Sequence, residues 1–231
     1  MPLRLLMTAA LLAAVCVAGV TGGDAQAAQT PTVKLLTAKV AREYPGHNAP
    51  AVRHVPARRP LTGAPTVLPV YGRADANGRP WVRVLLPNRP NEQTGWIAAD
   101  GTVSGRTPWK VTIGRGARTA TVTRNGRTVR RLSVVVGTAA TPTPLGRFFV
   151  AERVRQPHGA AIGPWALATS AYSNVLQQFG GGPGQIALHG RTGLSDPLGT
   201  AASHGCVRFA DTAIRWLARR AAAGTPIIIK P

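Results

Sequence analysis

The residues that could do chemistry are grouped around Cys206. A thiol becomes a nucleophile when neighbouring groups stabilise the thiolate and a base takes its proton. Arg208 adds a fixed positive charge two residues after Cys206, and a predicted helix begins shortly afterwards. The N–H groups at the start of a helix favour a nearby negative charge, so we expect them to lower the pKa of Cys206. These neighbours predict a reactive thiol rather than a buried structural one.

Two histidines lie close enough in the sequence to serve as the base. His189 lies at the end of a predicted strand, and His204 lies two residues before Cys206. Their spacing alone does not choose between them. Gly205 has no side chain, so a substrate carbonyl can approach the backbone closely at this position. The N–H groups around Gly205 and Cys206 are therefore candidates for an oxyanion hole. One such donor typically lowers the barrier by about 3–4 kcal/mol. The cluster therefore predicts acyl transfer through a thioester.

Two other chemistries use the same residue types. His189, His204 and Cys206 are the kinds of residue that bind zinc, but their spacing matches no common zinc pattern and no general base is evident beside them. A papain-like peptidase places its histidine after the cysteine, and no histidine follows Cys206 in this chain. The sequence therefore predicts neither a metal nor a cofactor.

The elements that must position these residues are mostly strands. Asn125-Gly126 separates the strand-like runs Thr119–Arg124 and 127–136, which predicts a hairpin with a type I′ turn. A glycine-rich turn over 180–184 leads to a further predicted strand, 185–188, which ends beside His189.

The only predicted helix begins near Asp211, which we expect to cap its first turn. Four apolar residues fall on one face at helical spacing: Ile214, Leu217, Ala218 and Ala221. Gly224 is the expected end of the helix, and Pro226 prevents its continuation. Residues 227–229 are predicted as a closing strand.

The front half of the chain is predicted to contain two further units. Short strands with turn residues between them run from 61 to 105. This stretch resembles a small bacterial SH3-like barrel through Tyr71, the run that begins at Trp81, and Gly95-Trp96-Ile97. Residues 28–60 contain five prolines among basic residues and are predicted to form a linker or a loosely held arm.

The amino terminus has the pattern of a secretory signal peptide. Arg4 precedes an apolar run from 5 to 20, and Ala25-Gln26-Ala27 matches a cleavage site. The run is short for a membrane span, although an uncleaved anchor is the alternative. Removal of residues 1–27 leaves Cys206 as the single cysteine. We therefore expect an exported protein, in the cell wall or periplasmic space, without an intramolecular disulfide.

The composition indicates an anionic partner. The chain contains 28 Lys and Arg against 8 Asp and Glu, a formal net charge of +20. Such a charge favours polyanions. For an exported protein these are anionic cell-wall polymers and carboxylate-bearing peptides rather than nucleic acid.

Three separated segments carry a resemblance to a known family. His189-Gly190 followed by Ser203-His204-Gly205-Cys206-Val207-Arg208 resembles the signature of the YkuD-type L,D-transpeptidases. Residues 141–148 resemble the start of the same domain, and 224–229 resemble its closing strand. The resemblance spans residues 108–230. It implies a mostly β fold, with a YkuD-like β-sandwich, a capped cleft and one C-terminal helix, preceded here by the SH3-like barrel.

The resemblance also implies roles for the site residues. Cys206 would be the nucleophile and His189 its proton acceptor. The other motif residues would shape the pocket and orient the pair: Gly190, Ser203, His204, Gly205 and Arg208. We expect His204 to fix the motif loop through a hydrogen bond, and Arg208 to hold a substrate carboxylate or support the structure. Asp196, between the two motifs, is assigned no role.

The implied substrates are the stem peptides of peptidoglycan. Cys206 would attack the carbonyl of the third residue of a tetrapeptide stem and expel the terminal D-Ala. Transfer to an amine of a neighbouring stem gives a 3→3 cross-link, and transfer to water trims the stem. β-Lactams of the carbapenem type are the implied inhibitors. The alternative is a non-catalytic wall-binding protein in which the SH3-like unit and the basic surface bind the wall.

Overall fold

The computed structural model describes residues 29–231, and the predicted signal peptide over 1–27 lies outside them. The first of its two main sheets has the strand order β3-β2-β6-β5-β4-β1-β7. Its strands are β1 (Thr30–Leu35), β2 (Lys39–Arg42), β3 (Ala51–Val55), β4 (Val67–Ala76), β5 (Arg79–Leu85), β6 (Thr94–Ala98) and β7 (Thr102–Thr107).

The first sheet includes a segment for which the sequence predicts no regular structure. Strands β1, β2 and β3 lie within residues 28–60, where a proline-rich linker or arm is expected. β1 pairs with β4 on one side and β7 on the other, and β2 pairs with β6. Most of these partner strands lie far along the chain. The local sequence of the short strands therefore does not show that they form hydrogen bonds in a sheet. The resemblance of residues 61–105 to an SH3-like barrel stays a prediction.

The second sheet has the strand order β10-β9-β8-β17-β12-β13-β14-β16, and β11 pairs separately with β15. The fold of the described residues is therefore mostly β with one helix, as the resemblance implies. Its elements are β8 (Trp109–Gly114), β9 (Thr119–Arg124), β10 (Arg127–Ser133), β11 (Val136–Gly137), β12 (Gly146–Arg155), β13 (Trp165–Tyr172), β14 (Gln185–His189), β15 (Ala201–Ser203), β16 (Val207–Arg208), α1 (Asp211–Ala218) and β17 (Pro226–Lys230).

The β9–β10 hairpin has the predicted turn. Asn125 and Gly126 have φ angles of 48° and 77°, the left-handed pair that a type I′ turn requires. The strand that follows ends at Ser133 rather than at 136, because the next residues leave the hairpin and β11 pairs elsewhere.

The helix begins at Asp211 as predicted but ends at Ala218, well before Gly224. Its buried face includes Ile214 and Leu217. The cap position is Ala210, and no side chain makes a capping hydrogen bond, so the prediction that Asp211 caps the helix is wrong. Within residues 29–231, no helix has the length and apolar character of a membrane span.

Strand β12 lies between two hydrophobic cores. Phe148 and Val150 belong to the core that the second sheet forms with α1, whereas Phe149 and Ala151 belong to the core of the first sheet. All four side chains are buried. Because successive residues of a strand point to opposite faces, β12 packs the two sheets against each other and fixes the position of the first sheet relative to the site.

Candidate active site

The register between β14 and β16 brings the predicted site residues to one face of the second sheet. The two strands run parallel, with Leu188 opposite Val207 and His189 opposite Arg208. Leu188 and Val207 are buried in the core, so alternation directs His189 and Arg208 to the other face. Cys206 precedes Val207 and therefore lies on the same face as both.

The sulfur of Cys206 lies against the backbone of β14. Its Sγ accepts a hydrogen bond from the Ala187 N–H at 3.4 Å. Ala187 is two residues before His189, so the thiol and the imidazole are diagonal neighbours across paired strands, a separation that side chains can span. Cys206 is partly exposed and His189 is buried, which leaves the thiol on the open side of the pair.

The imidazole of His189 is oriented by the residue that follows it. Its Nδ1 lies 2.6 Å from the Gly190 carbonyl oxygen. A carbonyl can only accept, so Nδ1 carries the proton and Nε2 keeps its lone pair. Burial lowers the pKa of His189 below its ordinary value of 6.5; the Gly190 carbonyl opposes this shift and the charge of Arg208 adds to it. The ring is therefore neutral near pH 7 and able to accept a proton.

Desolvation favours the protonated form of the Cys206 thiol in the resting site. Burial raises the pKa of Cys206 above its ordinary value of 9.0, and the Ala187 N–H and the charge of Arg208 offset only part of this effect. The net shift is therefore opposite in direction to the one that the sequence predicts. The N–H group that reaches the sulfur belongs to β14, and desolvation outweighs it. A neutral thiol beside a neutral imidazole must transfer its proton before or during attack.

Ser203 and Gly205 shape the turn that presents Cys206. The buried Ser203 hydroxyl donates to the Cys206 carbonyl at 2.6 Å and accepts the Gly205 N–H at 3.1 Å. Gly205 has a φ of 116°, and a Cβ there would lie 2.9 Å from Ile186 Cδ1. The backbone conformation therefore favours glycine, and a side chain there would also displace the end of Ile186. The Gly205 N–H is committed to Ser203, which removes it from the predicted oxyanion hole.

Thr143 holds the same turn from outside, and the sequence analysis does not single it out. Its buried hydroxyl donates to the Gly205 carbonyl at 2.8 Å and accepts the Gly137 N–H at 2.9 Å. The Thr141 hydroxyl adds a contact to the Ser203 carbonyl at 3.3 Å. Both threonines belong to a Thr-Pro-Thr-Pro stretch. Its prolines favour an extended backbone at the residues before them. They are the feature of the sequence that indicates an extended segment here.

Arg208 is fixed by a loop residue. Its Nη1 donates to Asp196 Oδ1 at 2.6 Å, with both side chains largely buried. Burial acts to raise the pKa of Asp196, but the hydrogen bond and charge of Arg208 outweigh it and hold that pKa below its ordinary value of 3.8. Nothing in the sequence distinguishes Asp196 from an ordinary turn residue before Pro197. Two roles are predicted for Arg208, to hold a substrate carboxylate or to support the structure. The contact with Asp196 fits the second.

The backbone after His189 is packed too closely for a side chain. A Cβ at Gly190 would overlap the Asp211 carboxylate and lie 2.9 Å from the Gly163 Cα. The Asp211 carboxylate accepts the Arg191 N–H at 2.7 Å. The loop that carries the Gly190 carbonyl, and with it the orientation of His189, is therefore held to the start of α1.

The whole of this site lies within a segment that matches a known domain. The sequence profile of the L,D-transpeptidase catalytic domain, YkuD, matches residues 84–229, more than half of the chain. The chain belongs to this family. The match begins within β5 and includes nearly all of the 108–230 span over which the sequence resembles this family.

Related L,D-transpeptidases come from several bacteria. A Bacillus subtilis protein with the provisional name L,D-transpeptidase YkuD is 29% identical over 151 residues, which are 63% of this chain and 84% of that protein. L,D-transpeptidase 3 from Mycobacterium tuberculosis, solved with a faropenem-derived adduct, is 13% identical with a TM-score of 0.45, over 70% of this chain and 98% of that one. An Enterococcus faecium L,D-transpeptidase is 15% identical with a TM-score of 0.42, over 53% of this chain and 50% of that one.

His204 lies at the open side of the candidate site. It is exposed, and its ring stacks on Phe179 with centroids 4.9 Å apart and planes inclined by 27°. The predicted role as a hydrogen-bonding residue therefore differs from the structure, in which the contact is aromatic. Among residues 29–231, no three His, Cys, Asp or Glu side chains are grouped as metal ligands would be.

Phe179 belongs to residues 173–184, here called the flap, which connect β13 to β14. Arg89, from the first sheet, holds the flap at three points. Its Nη1 donates to the Pro183 carbonyl at 2.6 Å, and its Nη2 donates to the Ser173 and Leu176 carbonyls, each at 2.9 Å. The first sheet therefore contributes directly to the surroundings of the site.

Asn91 extends this contact to the end of β13. Its Oδ1 accepts the Tyr172 N–H at 2.9 Å, and its Nδ2 donates to the Tyr172 carbonyl at 2.8 Å. The Tyr172 hydroxyl in turn donates to Asn88 Oδ1 at 2.7 Å. The sequence identifies residues 88–94 only as a polar turn of the front unit, because a turn pattern does not show which distant loop it meets.

Proposed function

We propose that this L,D-transpeptidase acts on the stem tetrapeptides of peptidoglycan through a thioester on Cys206. The observation that carries the proposal is the shared face of Cys206 and His189, with His189 Nδ1 tied to the Gly190 carbonyl so that the lone pair is on Nε2. A neutral base beside a protonated thiol is an arrangement that activates a sulfur nucleophile.

Acylation begins when His189 Nε2 takes the proton of Cys206 and the sulfur attacks the carbonyl carbon of the third stem residue. The tetrahedral intermediate collapses as the C–N bond to the terminal D-Ala breaks. The His189 imidazolium gives its proton to the leaving amine. A thioester between Cys206 and the tripeptide remains, and D-Ala leaves as the free amino acid.

The oxyanion of the tetrahedral intermediate needs a donor in the turn that carries the nucleophile. We assign this role to the Cys206 N–H, because the Gly205 N–H already donates to Ser203. Ser203 and Thr143 hold the turn through the Cys206 and Gly205 carbonyls. A donor that is fixed before the reaction does not have to reorganise as charge develops.

Deacylation uses the same residues in reverse. His189 takes a proton from the incoming nucleophile, which attacks the thioester, and the sulfur leaves and is reprotonated at Cys206. An amine of a neighbouring stem gives a 3→3 cross-link, whereas water gives the tripeptide. The proposal includes both outcomes, because both need the same base and the same leaving sulfur.

Mass spectrometry of products from a disaccharide-tetrapeptide tests this function. The mature protein is expected to form a cross-linked dimer or a trimmed tripeptide, and Cys206→Ala is expected to form neither. His189→Gln is expected to lose most activity, while His204→Gln, its matched control, keeps a substantial part. Product formation by a folded Cys206→Ala variant would overturn the mechanism. Unchanged substrate with the folded, reduced wild type would instead favour the wall-binding alternative.

Carbapenem-type β-lactams are the proposed inhibitors of the same thiol. The L,D-transpeptidase LdtMt1, which this chain resembles in fold, was solved in complex with imipenem, a carbapenem. Attack of Cys206 on the lactam carbonyl opens the ring, so the protein gains the mass of the whole drug. Intact-mass analysis is expected to show this adduct on the wild type and not on Cys206→Ala. Its absence after long incubation would contradict the proposal.

We also propose that the protein is exported and that residues 1–27 are removed. The support is the sequence pattern of Arg4, the apolar run and Ala25-Gln26-Ala27. The mass of the protein recovered outside the cytoplasm is expected to correspond to a chain that begins at Ala28. Recovery of the full-length chain in the membrane fraction would show an uncleaved anchor instead.

A further inference from the structure

One stretch of the chain, residues 101–151, is rich in positive charge. Between Asp100 and Glu152 the sequence contains no acidic residue and nine basic ones: Arg106, Lys110, Arg115, Arg118, Arg124, Arg127, Arg130, Arg131 and Arg147. Four of these belong to the β9–β10 hairpin, and β10 is an edge strand. Five consecutive side chains of β10, from 127 to 131, are exposed. This edge therefore presents dense positive charge to the solvent.

Five side chains from β8, β9, β10, α1 and the turn after α1 form what we call the arginine–tryptophan cluster: Trp109, Arg124, Arg130, Trp216 and Arg220. The guanidinium groups of Arg130 and Arg220 lie 4.4 and 4.3 Å from the centroid of the Trp216 ring. Arg124 lies 5.6 Å from the centroid of Trp109. The two indole rings meet edge to face, with centroids 6.0 Å apart. The contacts fix the arginines in place on one continuous surface.

No carboxylate balances this charge within the described part of the chain. The ion pairs found there join Lys39 to Asp100, Arg59 to Glu152, Arg147 to Glu92 and Arg208 to Asp196. None involves the cluster. The strand register also places Arg127 directly opposite Arg124, and like charges in that position destabilise a hairpin. An anion bound between them would turn this repulsion into attraction.

We propose that the arginine–tryptophan cluster and Arg127 bind a linear polymer that bears repeated oxyanions. The planar guanidinium fork matches phosphate and carboxylate groups in two-point contacts. An extended polymer can lie along the exposed edge strand β10. The arginines already cover ring surface of the tryptophans, so the bases of a nucleic acid would find little free ring on which to stack. These features favour a polymer without bases.

The site is separate from the proposed chemistry. Val135, just beyond the carboxyl end of β10, pairs with Arg208 of β16, whereas Arg127 lies at the opposite end of β10, beside the β9–β10 turn. A polymer held at the turn end of β10 therefore leaves the thiol accessible, so the protein can bind the polymer and process a stem peptide at the same time. The proposal does not rest on transpeptidation, and binding can be measured with the Cys206→Ala variant.

The test compares two hairpins of the same design. R124Q/R127Q/R130Q removes three charges from the β9–β10 hairpin. R73Q/R79Q/R83Q removes three exposed arginines from the β4–β5 hairpin, which also turns at Asn-Gly. Binding of labelled polyphosphate and of poly-L-glutamate is measured across a salt series. The first variant is expected to bind at least tenfold more weakly, and the magnitude of its slope of log K against log salt is expected to fall by about 2. The affinity of the second variant is expected to change less than threefold.

Each outcome bears on the proposal. Equal losses in the two triple variants would overturn it, because general charge rather than this surface would account for binding. Tighter binding of single-stranded DNA than of polyphosphate would overturn the choice of a base-free polymer. Binding of only one of the two polymers would support the site and identify its oxyanion. If a triple variant unfolds, R127Q and R79Q, which occupy the same position after the two turns, allow the same comparison.

Discussion

Arg89 and Leu176 are joined by a hydrogen bond of 2.9 Å between the Arg89 Nη2 and the Leu176 carbonyl oxygen. The guanidinium thus connects a turn of the first sheet to the middle of the flap. Because the flap carries Phe179 and Phe179 stacks on His204, this contact sets one wall of the site beside Cys206. The first sheet therefore helps to shape the active site as well as packing against β12.

Replacement of Arg89 by alanine is expected to release the flap. The variant loses three hydrogen bonds to backbone carbonyls, each of which contributes about 1 kcal/mol. We expect kcat/KM in the tetrapeptide assay to fall about tenfold, which corresponds to about 1.4 kcal/mol of transition-state stabilisation. Limited proteolysis is expected to cut the flap faster in this variant than in the wild type.

Two further variants show whether the geometry of Arg89 matters. Arg89→Lys keeps the charge but not the planar fork that reaches several carbonyls at once, so we expect an intermediate activity. Arg83→Ala removes an exposed arginine of β5 and is expected to leave both kcat/KM and flap proteolysis unchanged. A tenfold loss of activity in Arg83→Ala, or unchanged proteolysis in Arg89→Ala, would contradict a role for Arg89 in positioning the flap.

The resting protonation states predict the reactivity of Cys206 toward alkylation. Only the thiolate reacts with iodoacetamide. Burial raises the pKa of Cys206 above 9.0, so alkylation is expected to be slow at pH 7 and to accelerate about tenfold per pH unit until the pH exceeds 9. A protein that begins at Ala28 holds no other cysteine, so the intact mass of such a protein reports this residue alone. Rapid alkylation that does not change between pH 6 and pH 8 would instead indicate a thiolate–imidazolium pair.

The acidic limb of catalysis is expected to belong to His189. Burial lowers its pKa below 6.5, so the ring stays neutral, and able to accept a proton, below the pH at which an exposed histidine becomes charged. As the pH is lowered from 7 to 6.5, we expect kcat/KM to stay constant. It is expected to fall only at lower pH. A limb centred above pH 7 would contradict this assignment.

The parts of the fold that could be predicted carry their information locally. Asn125-Gly126 specifies its own turn, and the spacing of Ile214 and Leu217 specifies the buried face of α1. The run from Ser203 to Arg208 predicts a nucleophile at Cys206 because its residue types are needed together for that chemistry. In each case the residues that determine the feature are neighbours in the sequence.

The parts that could not be predicted depend on partners far along the chain. Arg89 meets the flap, Thr143 meets the turn at Gly205, and Asp196 meets Arg208 only after folding. Strand β1 is stable because β4 and β7 flank it. The pKa of Cys206 was predicted with the wrong sign for a related reason, since the sequence reveals charged neighbours but not the burial that outweighs them.

Replacement of Thr143 by valine tests the support of the Cys206 turn. The change is nearly isosteric but leaves the buried Gly205 carbonyl and Gly137 N–H without their shared hydroxyl. An unsatisfied buried polar group costs about 1–3 kcal/mol, so we expect the free energy of unfolding to fall by about that amount and kcat to fall with it. Thr143→Ser keeps the hydroxyl and is expected to retain more activity. Equal activity in the valine and serine variants would show that the hydroxyl does not position the turn.

Replacement of Asp196 by asparagine tests the support of Arg208. The variant loses a charge-assisted hydrogen bond between two largely buried side chains, worth about 1.5–3 kcal/mol, and leaves Arg208 without its counter-charge. Because the pKa of Asp196 in the folded protein lies below 3.8, its ionised form stabilises the wild type above that pH, and the benefit disappears as the pH falls through the lowered value. Urea unfolding is therefore expected to show a large difference between wild type and variant at pH 7 that shrinks toward pH 2. A difference that does not change with pH would mean that packing, rather than the charge of Asp196, holds Arg208 in place.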